Sequence, residues 1–255
     1  MGLNKNVVNR ILTGQLHVQK ICAKLVPKKL SVEQNANWLE ICQDLLGRIE
    51  IEPNFLHIVI RGDESCVFDY DRETIRQSEE WHTKSSPHPK KSRLSRSRVK
   101  TIIIVFFQQP WHCAQRICTS RTHNHAFYKD LLERLRKQVQ GVQGDIADDW
   151  VLQHDNAPAH TALSIQEFLA KKSIPVLPHP PYSPDLAPCD FYLFPKLKSK
   201  LKGHHFGTIE NIQKIVTDEL NTLMKNYFQY CCDQWEKRWT HCVTSQGSYF
   251  KGDNV

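Results

Sequence analysis

The sequence predicts an α/β sheet domain with helical flanks, and three observations carry that prediction. The run TIIIVFF at 101–107 is almost wholly apolar and rich in β-branched residues, the pattern of a central strand covered on both faces. After it, helix-period and strand-period segments alternate, while helical patterns occupy both ends of the chain. With 255 residues, 40% hydrophobic and 24% charged, the chain is long enough to bury a core without disulfide or metal staples.

The elements follow in order. Residues 3–12 place Val7, Val8, Ile11 and Leu12 on one side of a short helix that Gly14 ends. A second helix starts at Ser31, an N-cap with Gln34 at the capping-box position, and runs through Trp38, Leu45 and Ile49 until Pro53. Strand pattern then takes over at 57–60 and 66–70, divided by Gly62-Asp63-Glu64. Beyond TIIIVFF come a helix at 126–139, a short strand at 150–153, a helix at 161–172 and a short strand at 174–177. A proline-rich loop, 178–188, precedes helices at 190–201, 208–224 and 227–243. Trp235 and Trp239, one helical turn apart, belong to the core on this reading.

Charge is distributed unevenly. The chain carries 34 basic and 27 acidic residues, a net +7. Lys84, Lys90, Lys91, Arg93, Arg96, Arg98 and Lys100 lie within 84–100 without one acid, so this segment holds the entire excess. Its Ser and Pro content predicts an exposed loop, and a polyanion is its natural partner; a solvated loop with no partner is the alternative. No apolar run approaches the length of a membrane span, and the first residues lack a signal-peptide core, so no membrane partner is expected. The nine cysteines are odd in number and lack a CxxC, which predicts reduced thiols. Cys113, Cys118, His123 and His125 fall close together, but their His-x-His spacing is atypical of zinc modules.

Three acids stand at element ends: Asp63 in RGDES, Asp155 in VLQHDNAPAH and Asp190 in YSPDLAPCDF. Open α/β sheets bind ligands beside the carboxyl ends of their strands. Carboxylates converging there repel one another unless a cation intervenes, and a pair of Mg²⁺ ions is the usual device for in-line phosphodiester chemistry. An Asp before a helix is also a common N-cap, and spacing alone leaves that reading open for Asp155 and Asp190. Local hydrogen bonding is the simpler reading of His154 and Asn156, and backbone satisfaction that of His160.

The stretch VLQHDNAPAHTA followed by PYSPDLAPCDFYLFPKLKSKLKG resembles the mariner branch of the Tc1/mariner DNA transposases. So do GDES, KICAKLVPKKLS and the ending SQGSYFKGDN, and 34 residues separate Asp155 from Asp190 as in that family. The same resemblance reaches the transposase part of SET-domain/mariner fusions, although nothing here resembles a SET domain. It implies an RNase H-like, retroviral-integrase-type catalytic domain at 57–255 with a helical C-terminal flank. It also implies a linker and helix at 25–56, and at 1–24 a helical remnant of a second helix-turn-helix unit. On this basis Asp63, Asp155 and Asp190 are catalytic and hold two Mg²⁺ ions, for which Mn²⁺ can substitute. DNA, as transposon inverted-repeat ends and as target, is the implied partner, with a homodimer acting in the nucleus. The seven basic residues of 84–100 fall where the family places a DNA- and dimer-contacting loop. Tyr182, Ser183, Pro184, Asp185, Leu186, Ala187 and Pro188 resemble a loop that shapes the active site.

The chain also departs from the family. Only the last helix of the second DNA-binding unit has a counterpart, which predicts weak recognition of inverted repeats. Leu25 and Cys66 replace expected tryptophans. Across 108–125 the resemblance lapses, and a shifted reading of the family's codons yields nearly the string HCAQRI. A pair of compensating frameshifts is inferred, with a hairpin poor in strand alternation and a weakened fold. A non-catalytic DNA-binding or dimerising remnant is therefore the alternative function.

Overall fold

The computed structural model describes residues 4–18, 25–81, 83, 87, 90, 94–108, 113–118, 124–142 and 149–250, with the side chains of 113–118, 142 and 223–229 excepted. Its helices are α1 (Lys5–Arg10), α2 (Val32–Ile51), α3 (Phe55–Ile58), α4 (His125–Val142), α5 (Leu163–Lys171), α6 (Phe194–Leu201) and α7 (Ile209–Thr244). Its strands are β1 (Val59–Phe68), β2 (Lys100–Phe107), β3 (Cys113–Cys118) and β4 (Val151–Gln153). They form one sheet in the order β3-β2-β1-β4. β2 runs antiparallel to both β1 and β3, whereas β4 is parallel to β1.

β2 is interior and covered on both sides, as its composition predicts. Ile104 and Phe106 face α4 and α5, where they join Leu131, Leu132, Ile165 and Phe168. Ile103, Val105 and Phe107 face the opposite layer, with Leu193, Leu197, Ile212 and Val216 of the α6–α7 region. This is the period-two alternation of a strand working in two cores at once. A third cluster joins Trp38, Cys42 and Leu45 of α2 to Trp235, Trp239 and Cys242 at the far end of α7. The two tryptophans of α7 are thus core residues, 2% and 1% exposed.

The α2 N-terminus matches its expectation in detail. Ser31 Oγ accepts from Gln34 N–H at 3.2 Å, while Ser31 N–H donates to Gln34 Oε1 at 3.0 Å, forming a capping box.

Five elements differ from expectation. α1 continues through a π-helical turn at Ile11–Gln15, so Gly14 lies inside the helical segment instead of ending it. α1 and that turn bury none of their residues. His57 and Ile58 close the single-turn helix α3, because Phe55 and Leu56 fold inward there; the strand starts at Val59. β1 then passes unbroken through Gly62, whose lack of a Cβ leaves room for the ring of Phe106, its cross-strand partner. The expected strand at 174–177 is reduced to a parallel bridge from Val176 to Leu152. Finally, α7 is one helix of 36 residues, because no Gly or Pro interrupts it between the two expected helices.

Residues 113–118 occupy the expected hairpin position. The backbone of β3 pairs with β2 through six consecutive positions, from Phe107↔Cys113 to Ile102↔Cys118. Edge pairing asks only for backbone N–H and C=O groups, so it survives a sequence of poor alternation. Among the described residues, no helix is long and apolar enough to cross a membrane.

Candidate active site

The parallel pairing of β1 with β4 sets the site. Arg61 lies opposite Gln153 at the last paired position, and Asp63 and Asp155 each follow two residues later. Both carboxylates are therefore delivered to the same end of neighbouring strands. Asp63 remains in the ladder, opposite Val105 of β2. Asp190 comes from the π-helical turn Cys189–Leu193 that leads into α6, where buried Cys189 and Leu193 pin the turn against the β2 side of the core.

Electrostatics show that the three acids share one space. Burial, and then the charges of Asp190, Glu64 and Asp155, push Asp63 up to about 8. Burial and the charge of Asp155 raise Asp190 to about 6. Asp155 goes the other way: burial opposes its ionisation, but hydrogen bonds from His160 and the Ala157 N–H hold it below the ordinary value. Among the described residues, no three His, Cys, Asp or Glu side chains are gathered tightly enough to cage a metal ion. The donor set nevertheless suits a hard cation, being all carboxylate oxygen. Mg²⁺ commonly takes one or two protein carboxylates and completes its shell with water and phosphate.

Sequence reasoning missed the layer behind these acids. His160 is 5% exposed, and its ring joins two carboxylates. Nδ1 lies 2.7 Å from Asp155 Oδ1 and Nε2 lies 3.2 Å from Glu64 Oε1. Its role is thus side-chain contact, in place of the backbone satisfaction expected. Tyr128 of α4 stacks on the His160 ring with centroids 3.9 Å apart, and its hydroxyl lies 2.8 Å from His154 Nδ1. His154 is buried, and burial lowers it to about 3. Asn156 donates to the His179 carbonyl at 2.7 Å, and the His179 ring bridges Gln153 and Ser183 at 3.3 and 3.0 Å. Both residues flanking Asp155 therefore bond beyond the local turn. The only sequence signal for this layer was a pair of histidines bracketing HDNAPAH.

The proline loop is fastened from inside. Ser183, Asp185, Leu186, Ala187 and Pro188 are buried, Pro184 is partly covered, and Tyr182 is 48% exposed. Trp235 Nε1 donates to the Leu186 carbonyl at 2.7 Å, and Arg238 donates to the Asp185 carbonyl at 3.0 Å. The loop's buried majority sets its shape, which leaves Tyr182 as its outward side chain. Lys28 bonds the Tyr182 hydroxyl at 3.0 Å.

Of the basic segment, Lys84, Lys91 and Arg93 lie outside the described residues, as do His123 and the side chains of Cys113 and Cys118. Lys90, Arg98 and Lys100 are exposed. Arg96 is exposed but engaged: its guanidinium lies 3.0 Å from Asp71 and over the Phe68 ring.

A DDE superfamily endonuclease family model matches residues 62–213, a span that contains Asp63, Asp155 and Asp190. The chain belongs to the DDE superfamily endonucleases. It is homologous to the Mariner Mos1 transposase of Drosophila mauritiana, at 26% identity over 255 residues covering 98% of this chain and 72% of that protein. It is also similar to the human histone-lysine N-methyltransferase SETMAR, at 27% identity over 257 residues, 98% of this chain and 36% of that protein. The fold matches the solved Mos1 mariner paired end complex with Mn at a TM-score of 0.82 and 27% identity, over 98% of this chain and 72% of that one. Its counterpart with Mg matches at 0.80, over 97% and 72%. The DDE chain is therefore an RNase H-like α/β protein of the mariner transposase lineage.

Proposed function

We propose that this chain cleaves DNA strands and joins them to a target, with Asp63, Asp155 and Asp190 holding two divalent cations. The observation that carries this reading is three carboxylates converging in one partly buried space, where burial first, and then the charges of Asp190, Glu64 and Asp155, raise Asp63 to about 8. A trio so destabilised when ionised invites a cation, and its oxygens suit Mg²⁺ or Mn²⁺. When bound, the ions supply activation of the attacking water or 3′-hydroxyl and stabilisation of the leaving oxygen. The protein's own part is positional. β1 and β4 hold Asp63 and Asp155 at one sheet end, and the π-helical turn brings Asp190 across to them. Exposed Lys90, Arg98 and Lys100 offer phosphate neutralisation.

The same reading takes transposon ends and target DNA as the substrate class, in a homodimer acting in the nucleus. It divides the chain at 1–24, 25–56 and 57–255. The two Mos1 structures are paired-end complexes solved with Mn and with Mg, which supports both DNA and divalent metal for this chain.

The test is nicking of supercoiled plasmid by the purified chain with Mg²⁺ or Mn²⁺ against EDTA, beside Asp155→Ala. Metal-dependent nicking that disappears in the variant is the expected result. A soluble, cooperatively folded protein that never nicks refutes the catalytic reading and leaves a DNA-binding remnant.

A further inference from the structure

The sheet alone does not hold Asp155 still. β4 ends at Gln153, so the Asp155 backbone lies beyond the ladder, in a segment that turns at Ala157. What fixes its carboxylate is local: the Ala157 N–H at 3.0 Å and His160 Nδ1 at 2.7 Å. Both bonds fall on Oδ1. The His160 ring is itself immobilised. Tyr128 stacks on it, His154 lies parallel with centroids 5.1 Å away, and Nε2 meets Glu64 Oε1 at 3.2 Å.

Glu64 makes this more than a satisfied core histidine. It follows Asp63 directly in β1, and successive strand residues point to opposite faces. A buried histidine needs only one acceptor for each N–H, and backbone carbonyls ordinarily serve. Here both nitrogens are given to carboxylates on two different elements, and one of these is a proposed cation ligand.

We propose that His160 is the positioning residue of this site, clamping Asp155 Oδ1 and tying it to β1 through Glu64, so that Oδ2 is left for the cation. The inference rests on the metal-dependent reading above and adds a residue that acts through Asp155 without touching substrate. The same contact orders the elements: the segment after β4 is indexed against β1 by a side-chain bridge where the backbone ladder has stopped.

The two halves of the clamp can be separated. The amide nitrogen of Asn falls near the position of histidine Nδ1, and that of Gln near Nε2. His160→Asn therefore keeps the bond to Asp155 and drops Glu64, while His160→Gln does the reverse. Mn²⁺ binding to the full chain is measured by titration calorimetry, with thermal melts in EDTA to show that each variant folds. The expected result is a Kd about 10-fold or more weaker for His160→Gln, against a change within about 3-fold for His160→Asn. A merely structural histidine would shift the melts of the two variants and leave their Mn²⁺ affinities alike. Equal affinities in the two variants, whether unchanged or equally weakened, overturn the proposal. Should the Gln variant fail to fold, His160→Phe, which keeps the stack on Tyr128, takes its place with the same expected loss. Wild-type protein that binds no Mn²⁺ sinks the metal-dependent reading itself. Wild-type binding with indifferent variants sinks only the clamp.

Discussion

Removing divalent cations and raising the pH from 6.5 to 8 should loosen the folded chain measurably. Burial and the neighbouring charges of Asp190, Glu64 and Asp155 raise Asp63 from 3.8 to about 8, so the fold holds a proton that the unfolded chain has released. His160 acts in the same sense. Burial opposes its charge, but the hydrogen bonds to Asp155 and Glu64 prevail and lift it from 6.5 to about 10. For a group raised in the fold, the stabilisation is complete below its unfolded value and is lost as pH climbs through the folded one. At about 1.36 kcal/mol per pH unit and proton, each group forfeits about 1.6 kcal/mol across this interval. His154 and His179, lowered by burial to about 3 and about 4, oppose this. They are already neutral in the fold while the unfolded chain still sheds protons, which returns about 0.4 kcal/mol each. The net loss is about 2.5 kcal/mol, or about 5–10 °C in Tm for a chain of this size. Circular dichroism melts in EDTA at constant ionic strength read it directly. Asp63→Asn removes one contributor and should cut the fall by more than half, while Mg²⁺ added at pH 8 should recover much of the loss. A wild-type Tm that does not fall between pH 6.5 and 8, or a fall undiminished in Asp63→Asn, would refute the reasoning.

Two further outcomes are expected. Gly62→Ala should cost about 1–3 kcal/mol in urea denaturation, because the new methyl meets the buried Phe106 ring across the β1–β2 ladder. Trp235→Phe should cost about 1–3 kcal/mol in the same assay, since it strands the Leu186 carbonyl that the indole N–H satisfies at 2.7 Å.

Strand β2 was legible in the sequence because its apolar side chains declare a buried strand without help from any neighbour. The α2 N-terminus was legible because Ser31 and Gln34 complete their own capping box within four residues. Gly62 was misleading. Glycine weakens a strand statistically, and its actual reason, the ring of Phe106, lies on another strand. The short strand at 174–177 was overestimated because four apolar residues are as consistent with one bridge as with a ladder. The three aspartates stood out through motif resemblance, whereas the layer behind them did not. Glu64 lies 96 residues from His160, and Tyr128 lies on a helix that sequence periodicity assigns only to the core. Residues 113–118 show the converse: side-chain resemblance lapses there, yet the backbone still forms an edge strand.

The third core cluster has a consequence for synthesis. Trp38 and Cys42 leave the ribosome long before their partners Trp235, Trp239, Cys242 and Phe250 are made. Until the second half of α7 is released, the apolar face of α2 has only the partial cover of residues such as Phe55, Leu56 and Leu186, and it stays open to chaperones or to other nascent chains. α7 spans about 54 Å at 1.5 Å per residue, and its first half closes a different cluster, with Ile212, Val216 and Leu220. A ribosome that stops anywhere in the second half of this helix therefore delivers a chain whose sheet layer is assembled while its α2 layer stands open. Termination within the second half of α7 should yield a sticky product, and the last turns of that helix act as the clasp that closes the α2 layer.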